Sequence, residues 1–257
     1  MHLTSILIPI FDLPWWLLPL LIAAVIAKTP WFKGLFGELL VRLWAKFLLD
    51  PKEYRAIHNV TLQTPDGTTQ IDHVFVSRFG VFVVETKNYS GWIFGNENQA
   101  MWTQKLFKTN NKFQNPLRQN FKHIKALESL TCLPLEKFHS VIVFVGGSEF
   151  KTKMPQNVAY TGGYISYIKS KTNHILSSFE VDAVYSAIST GRLAPSLATN
   201  REHVANVQHR LALGAPRSCP KCGAAMVLRT VKSGDRVGSK FWGCSAFPNC
   251  RTTQNVT

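Results

Sequence analysis

The stretch that decides the fold is Gln70-Ile-Asp-His-Val-Phe-Val-Ser-Arg-Phe-Gly-Val-Phe-Val-Val-Glu-Thr-Lys-Asn-Tyr-Ser-Gly91. Apolar and β-branched runs lie on both sides of Arg78-Phe79-Gly80. They predict strands over Thr68–Ser77 and Val81–Lys87, joined by a tight turn. Pairing Val76 with Val81 sets Asp72 across from Glu85, and opposed side chains on one face have Cβ atoms roughly 4.5–5.5 Å apart. The two-residue period puts Lys87 on the face of Glu85. The surrounding positions are apolar on both faces, so the strands are covered on both sides and unpaired charge there is costly. Two carboxylates so placed repel unless one binds a proton or a cation sits between them. A hard divalent ion such as Mg²⁺ or Mn²⁺ takes such oxygens and keeps positions for water and phosphate. Lys87 could orient or help deprotonate an attacking water and stabilise charge on phosphate. These are the parts phosphodiester hydrolysis needs. The bare spacing also occurs at ordinary polar strand ends; the apolar surroundings are what argue for chemistry.

Working outward, an apolar stripe of Leu39, Leu40, Leu43, Phe47 and Leu48 predicts a helix over Gly37–Leu49, ended by Asp50-Pro51. A strand is expected at Ala56–Gln63, separated from the next by Pro65-Asp66-Gly67. Shorter strands are expected at Gly91–Phe94 and Met101–Leu106, with a helix over Pro116–Leu130 that has proline in its first turn. Ser140–Val145 reads as a buried strand closed by Gly146-Gly147, and weaker helical patterns cover Gly163–Ser170 and Glu180–Ser189. Helices on either side of central apolar strands imply an α/β or α+β domain with a covered sheet. His73 falls on the sheet face opposite Asp72, which favours a packed histidine over a ligand. Gln104 and Gln119 are secondary candidates for the site. Arg118, Lys122 and Lys125 form a basic ridge preceded by Lys105, Lys108 and Lys112; a ridge meeting phosphates and a plain solvated helix face fit these residues equally well.

The chain has 257 residues, with 29 Lys and Arg against 15 Asp and Glu for a net charge of +14. With 46% apolar residues it is not globally disordered, and the charge points to a polyanionic partner, nucleic acid or an anionic membrane face. From Leu3 to Ala27 the only charge is Asp12, so residues 1–28 are expected to form a transmembrane anchor despite Pro9, Pro14 and Pro19. No Lys or Arg precedes the apolar run, which argues against a cleaved signal peptide. Lys28, Lys33, Arg42 and Lys46 follow it and place the remainder on the cytoplasmic side. An interfacial or partner-binding apolar segment is the other reading of the same residues.

At the other end, Cys219-Pro-Lys-Cys222 is followed by Cys244 and Cys250. Two cysteine pairs of this kind complete a tetrahedron of sulfurs and leave no position for water, the pattern of a structural Zn²⁺ site. A tail this short needs a metal to fold. Residues 201–257 carry nine Lys or Arg and two acids; four thiolates with one Zn²⁺ reduce that balance of +7 to +5. Phe241, Trp242 and Phe247 are shared between base stacking and the tail's own small core. Cys132 stands apart and reads as a small buried thiol.

The residue 70–91 segment resembles the signature of the nuclease-related domain, NERD. Gly37-Glu38, Trp102 and Asn115-Pro116-Leu117-Arg118-Gln119 match that family's other marks. Such domains are similar to the restriction-endonuclease-like PD-(D/E)xK nucleases. The resemblance implies that α/β fold, a mixed sheet flanked by helices, with metal-binding roles for Asp72 and Glu85, a catalytic lysine at Lys87 and an additional ligand or water-holding residue at Glu38. Ile71 stands where many such nucleases have proline. Ser218 to Arg251 resembles the zinc ribbon of bacterial type IA topoisomerases, which implies DNA binding, chiefly to single strands. The expected organisation is an anchor at 1–28, a NERD domain at 32–190, a linker at 191–216 and a zinc ribbon at 217–257. The expected function is a membrane-anchored, Mg²⁺- or Mn²⁺-dependent DNA nuclease crossing a bacterial inner membrane once, its soluble part cytoplasmic. The alternative is an inactive, membrane-tethered DNA-binding scaffold.

Overall fold

A computed structural model describes residues 17–64, 67–194, 196, 199, 201, 204–205, 219, 221–222, 224, 226–231 and 237–255. Residues 1–16 of the expected anchor, Pro65 and Asp66 of the first turn, and most of the expected linker lie outside them. The chain divides into two compact units, Met1–His203 and Val204–Thr257.

In the first unit, α1 (Leu17–Lys28) and α2 (Pro30–Leu48) precede three antiparallel strands, β1 (Arg55–Thr64), β2 (Gly67–Ser77) and β3 (Gly80–Asn88). Strands β4 (Gly91–Phe94), β5 (Met101–Leu106) and β6 (Thr109–Gln114) follow, then α3 (Pro116–Thr131) and β7 (Phe138–Val145). The unit closes with β8 (Ser148–Phe150), β9 (Val158–Tyr160), α4 (Thr161–Lys169) and α5 (Ser178–Gly191). The main sheet has the order β1-β2-β3-β7-β9, with β7 and β9 parallel to β3. It is the mixed sheet that the resemblance implies. Val74, Val81 and Val83 on one face pack with Ile124 and Leu127 of α3 and Val184 and Ile188 of α5. On the other face, Phe75, Phe82 and Val84 pack with Val41 and Ala45 of α2 and Ile165 and Ile168 of α4. A smaller sheet, β6-β5-β4-β8, packs through Ile93 and Trp102 onto Ile142 and Phe144 of β7.

Local signals set the helix ends. α2 begins at Pro30, seven residues before the apolar stripe suggests, because the Thr29 hydroxyl accepts the Phe32 N–H at 3.2 Å and proline occupies the first turn. Asn115 caps α3 in the same way, accepting the Leu117 N–H at 2.9 Å. Cys132 ends α3 in the left-handed conformation, φ 55°, and is exposed; the sequence places it inside, whereas the cap position holds it at the surface. α2 and β3 approach closely at Gly37, where a Cβ would lie 2.8 Å from Val145 Cγ2 and 3.1 Å from Asn88 Cβ.

No single helix among the described residues is long and apolar enough to cross a membrane. α1 and α2 reach that length and hydropathy only together, and the chain bends by 79° between them.

In the second unit, β10 (Met226–Thr230), β11 (Lys240–Cys244) and β12 (Thr253–Asn255) form an antiparallel sheet in that order.

Candidate active site and zinc centre

The register of β2 and β3 is the one the turn implies: Val76 faces Val81 and the ladder runs to His73 opposite Val84. It stops one step short of Asp72 and Glu85. β2 continues there against β1, through Ile71 opposite Val60, and parts from β3. In place of another rung, the Thr86 N–H donates to Asp72 Oδ2 at 2.7 Å. The acids therefore lie at a fork in the sheet, where the main chain stops pairing and side chains take over.

On the α3 side of this fork, Glu85 is 3% exposed and both its oxygens are engaged. Lys87 Nζ donates to Oε1 at 2.7 Å, and His123 Nε2 lies 3.1 Å from Oε2. Gln119 Oε1 accepts a second hydrogen bond from Lys87 Nζ at 2.9 Å, and Thr69 Oγ1 lies 2.8 Å from His123 Nδ1. Facing a carboxylate that can only accept, His123 donates from Nε2. A row of Thr69, His123, Glu85, Lys87 and Gln119 thus fixes the acid and the amine.

Electrostatics separate the acids. Burial works against ionised Glu85, but the Lys87 charge and the His123 and Lys87 hydrogen bonds outweigh it and bring its pKa down to about 2. Asp72 moves well above its ordinary value, first through burial, then through the charges of Glu85 and Glu38; the Thr86 N–H and Lys87 offset part of this. Glu38, on α2, is raised by burial, eased by Arg42 and raised again by Glu85. Its ion pair with Arg42 is long, at 3.9 Å. Burial disfavours the Lys87 ammonium, yet Glu85 and Asp72 more than compensate and its pKa rises. The four sequence candidates Glu38, Asp72, Glu85 and Lys87 thus fall within one field of mutual charge. Three carboxylates facing the Lys87 ammonium and the more distant Arg42 guanidinium carry an excess of negative charge when all are ionised, the condition a divalent cation relieves. The oxygens are not drawn together as tightly as ligands in a closed site. Among the described residues, only the four cysteines bring three or more ligand-type atoms within 4.8 Å of one another.

Other candidates sort plainly. Gln119 reaches the site. His73 lies on the opposite face with Phe75, its Nδ1 3.0 Å from His58 Nδ1. Burial, His58 and Arg42 hold its pKa down, so it is a neutral packed ring. Gln104 belongs to the small sheet, donating to Ser90 O at 2.8 Å. Asn115 is structural: its Nδ2 donates to the carbonyls of Asn96, Glu97 and Gln99, tying that loop to the start of α3. His123 and Thr69 escape the sequence reading. The available signal was helical spacing, since His123 lies one turn after Gln119 on the same face. Among the basic residues, Arg118 is bound to Asn98 O at 2.6 Å and Lys125 pairs with Glu128. Lys105 and Lys151 lie over the Trp92 ring.

In the second unit, Cys219 Sγ lies 3.7 Å from Cys250 Sγ and Cys222 Sγ 3.4 Å from Cys244 Sγ. These separations exceed a disulfide's ~2.05 Å. They approach the roughly 3.8 Å edge of a tetrahedron with Zn–S bonds of ~2.3 Å. All four sulfurs lie within 4.8 Å of one another. The donor set fits a structural Zn²⁺ and leaves no position for substrate. The division of aromatics is also resolved. Trp242 packs with Met226 and the cysteines, whereas Phe247 is exposed with the Arg229 guanidinium 5.8 Å from its ring centre. Phe241, Phe247, Arg229 and Arg251 line one groove, an arrangement suited to bases and phosphates.

Comparison with known proteins finds a family model in each of the two units. The family model of the nuclease-related domain matches residues 33–145, and that of the topoisomerase DNA binding C4 zinc finger matches residues 216–257. An uncharacterized protein of Bacillus anthracis is 43% identical over 167 residues, 62% of this chain and 77% of that protein. No solved structure matches the chain. The chain belongs to the nuclease-related domain family and ends in a DNA-binding C4 zinc finger of the topoisomerase kind.

Proposed function

We propose that this protein is a membrane-anchored, divalent-metal-dependent DNA nuclease whose zinc ribbon holds the substrate. The observation that carries the reading is the fork itself. Glu85, held ionised beside the buried ammonium of Lys87, adds to the burial that already raises the cost of ionising Asp72 and Glu38. Asp72 and Glu85 would hold Mg²⁺ or Mn²⁺, with Glu38 as a further ligand or a partner for bound water. The ion would activate that water and neutralise charge on the scissile phosphate. Lys87 is held as a cation, so its part is to attract phosphate and stabilise charge, not to remove a proton. Gln119 positions Lys87, and His123 with Thr69 positions Glu85. The Phe247 groove of the ribbon would take single-stranded DNA by stacking. The apolar segment 1–28 would anchor the chain in a bacterial inner membrane, and the lysines that follow would keep the rest cytoplasmic.

One observation favours a second reading, a DNA-binding scaffold without turnover. Both Glu85 oxygens are satisfied by Lys87 and His123, so the network is complete without a metal. A cleavage assay on the full chain with Mg²⁺ or Mn²⁺ and single- and double-stranded DNA separates the two. The nuclease predicts hydrolysis that falls by about 10²-fold or more in Asp72→Ala and Lys87→Ala while DNA affinity is retained. DNA binding without hydrolysis under every metal supports the scaffold.

A further inference from the structure

We infer that α2 is a two-sided helix whose outer face lies in the bilayer interface, so that the nuclease-like domain docks on the membrane and does not hang from a free tether. This rests on the anchoring reading above and adds where the domain sits. The inner side of α2 is settled: Gly37, Val41 and Ala45 are buried against the sheet, and Glu38 beside them is near enough to feel the Glu85 charge. The outer side is the reverse of what a water-facing helix carries. Trp31, Leu35, Leu39, Leu43 and Phe47 recur every four residues and all are exposed, Trp31 to 72% and Phe47 to 76%. A contiguous exposed apolar patch marks a protein or membrane contact.

Three observations choose lipid. The patch is continuous with α1, none of whose residues is buried. Basic residues flank it at Lys28, Lys33 and Lys46, and no acid lies between Leu17 and Gly37, the balance that anionic headgroups attract. Trp31 and Trp44 supply the amphipathic rings favoured at the headgroup level. The bend gives the geometry. With α1 along the membrane normal, a turn of 79° leaves α2 about 11° from the membrane plane (90° less 79°). The helix would then lie with its apolar face ~5–10 Å into the boundary, as interfacial helices do. Glu38 would sit within about one helix diameter of the lipid, ~10 Å, so the acidic fork would open close to the membrane surface.

The test uses the full, zinc-loaded chain and its Trp44→Phe variant with vesicles of phosphatidylcholine and a minority of phosphatidylglycerol. The acyl chains are either plain or brominated near the headgroup. The signal is the fluorescence difference between the two proteins, which reports Trp44 alone. Both proteins should float with the vesicles, and bromination should quench the Trp44 signal by about twofold or more, as expected for a ring within ~5–10 Å of the boundary. Flotation of both with an unquenched Trp44 signal overturns the docking of α2 and leaves the anchor standing. Failure of either protein to float overturns the anchoring reading and this inference with it.

Discussion

At the residue scale, the fork holds two carboxylates with opposite effects on stability. Glu85 ionises more readily in the fold, about 2 against an ordinary 4.5. Its contribution is present above the ordinary value and is lost as pH falls through the range toward 2. Asp72 is raised above its ordinary 3.8, so its contribution is present below that value and is lost as pH rises through the elevated one. Without added Mg²⁺ or Mn²⁺, Asp72→Asn should therefore be at least as stable as the wild type near neutral pH, with the difference fading on acidification. The amide keeps an oxygen for the Thr86 N–H. Glu85→Gln should lose roughly 3–5 kcal/mol, because it leaves the Lys87 ammonium buried beside a neutral partner. Urea unfolding of the three proteins checks this, and equal losses in both variants would contradict it. Much of this site was legible in the sequence: Asp72, Glu85 and Lys87 follow from strand register and period. His123 and Thr69 do not, because a histidine on a helix and a threonine on a strand meet only through the packing of α3 on β2.

At the scale of elements, legibility followed how far each segment depends on its neighbours. β2, β3 and β7 are apolar on both faces and announce themselves. β6, with the polar sequence Thr109-Asn-Asn-Lys-Phe-Gln114, and the three-residue β8 and β9 carry no such period; each is a strand because a partner edge pairs with it. The register of β2 on β3 was legible to His73, but the fork beyond it was not, since it depends on β1 drawing β2 away. α2 illustrates a conflict between propensity and packing. Alanine for Gly37 favours an isolated helix by ~1 kcal/mol. Here, however, its Cβ would meet Val145 of the packed core and the half-buried Asn88. Overpacking of this kind costs typically 1–3 kcal/mol, so Gly37→Ala should lower stability on balance. A drop in thermal midpoint checks it; a rise would show that α2 has room to move off the sheet.

At the scale of the whole molecule, the two compact units rest on different physics. The first has extensive apolar clusters on both faces of its sheet, whereas the second has a small core of Met226 and Trp242 around four sulfurs. Zinc should therefore be the second unit's main source of stability, as structural zinc supplies ~10–16 kcal/mol to small domains. Chelation should make residues 219–255 sensitive to protease while residues 17–194 stay resistant, and should weaken DNA binding; joint collapse of both units would contradict this division. The cysteine spacing made this unit legible from sequence. The bend between α1 and α2 was not, because an apolar run specifies burial in something and leaves the direction of the chain open.

The claim on which the functional account turns is that the acids at the fork take up a divalent ion. The most direct measurement is a Mn²⁺ titration of the zinc-loaded chain, followed by the paramagnetic resonance signal of free Mn²⁺. The account predicts uptake by the wild type that is lost in Asp72→Ala. No uptake, or equal uptake by both proteins, would contradict it.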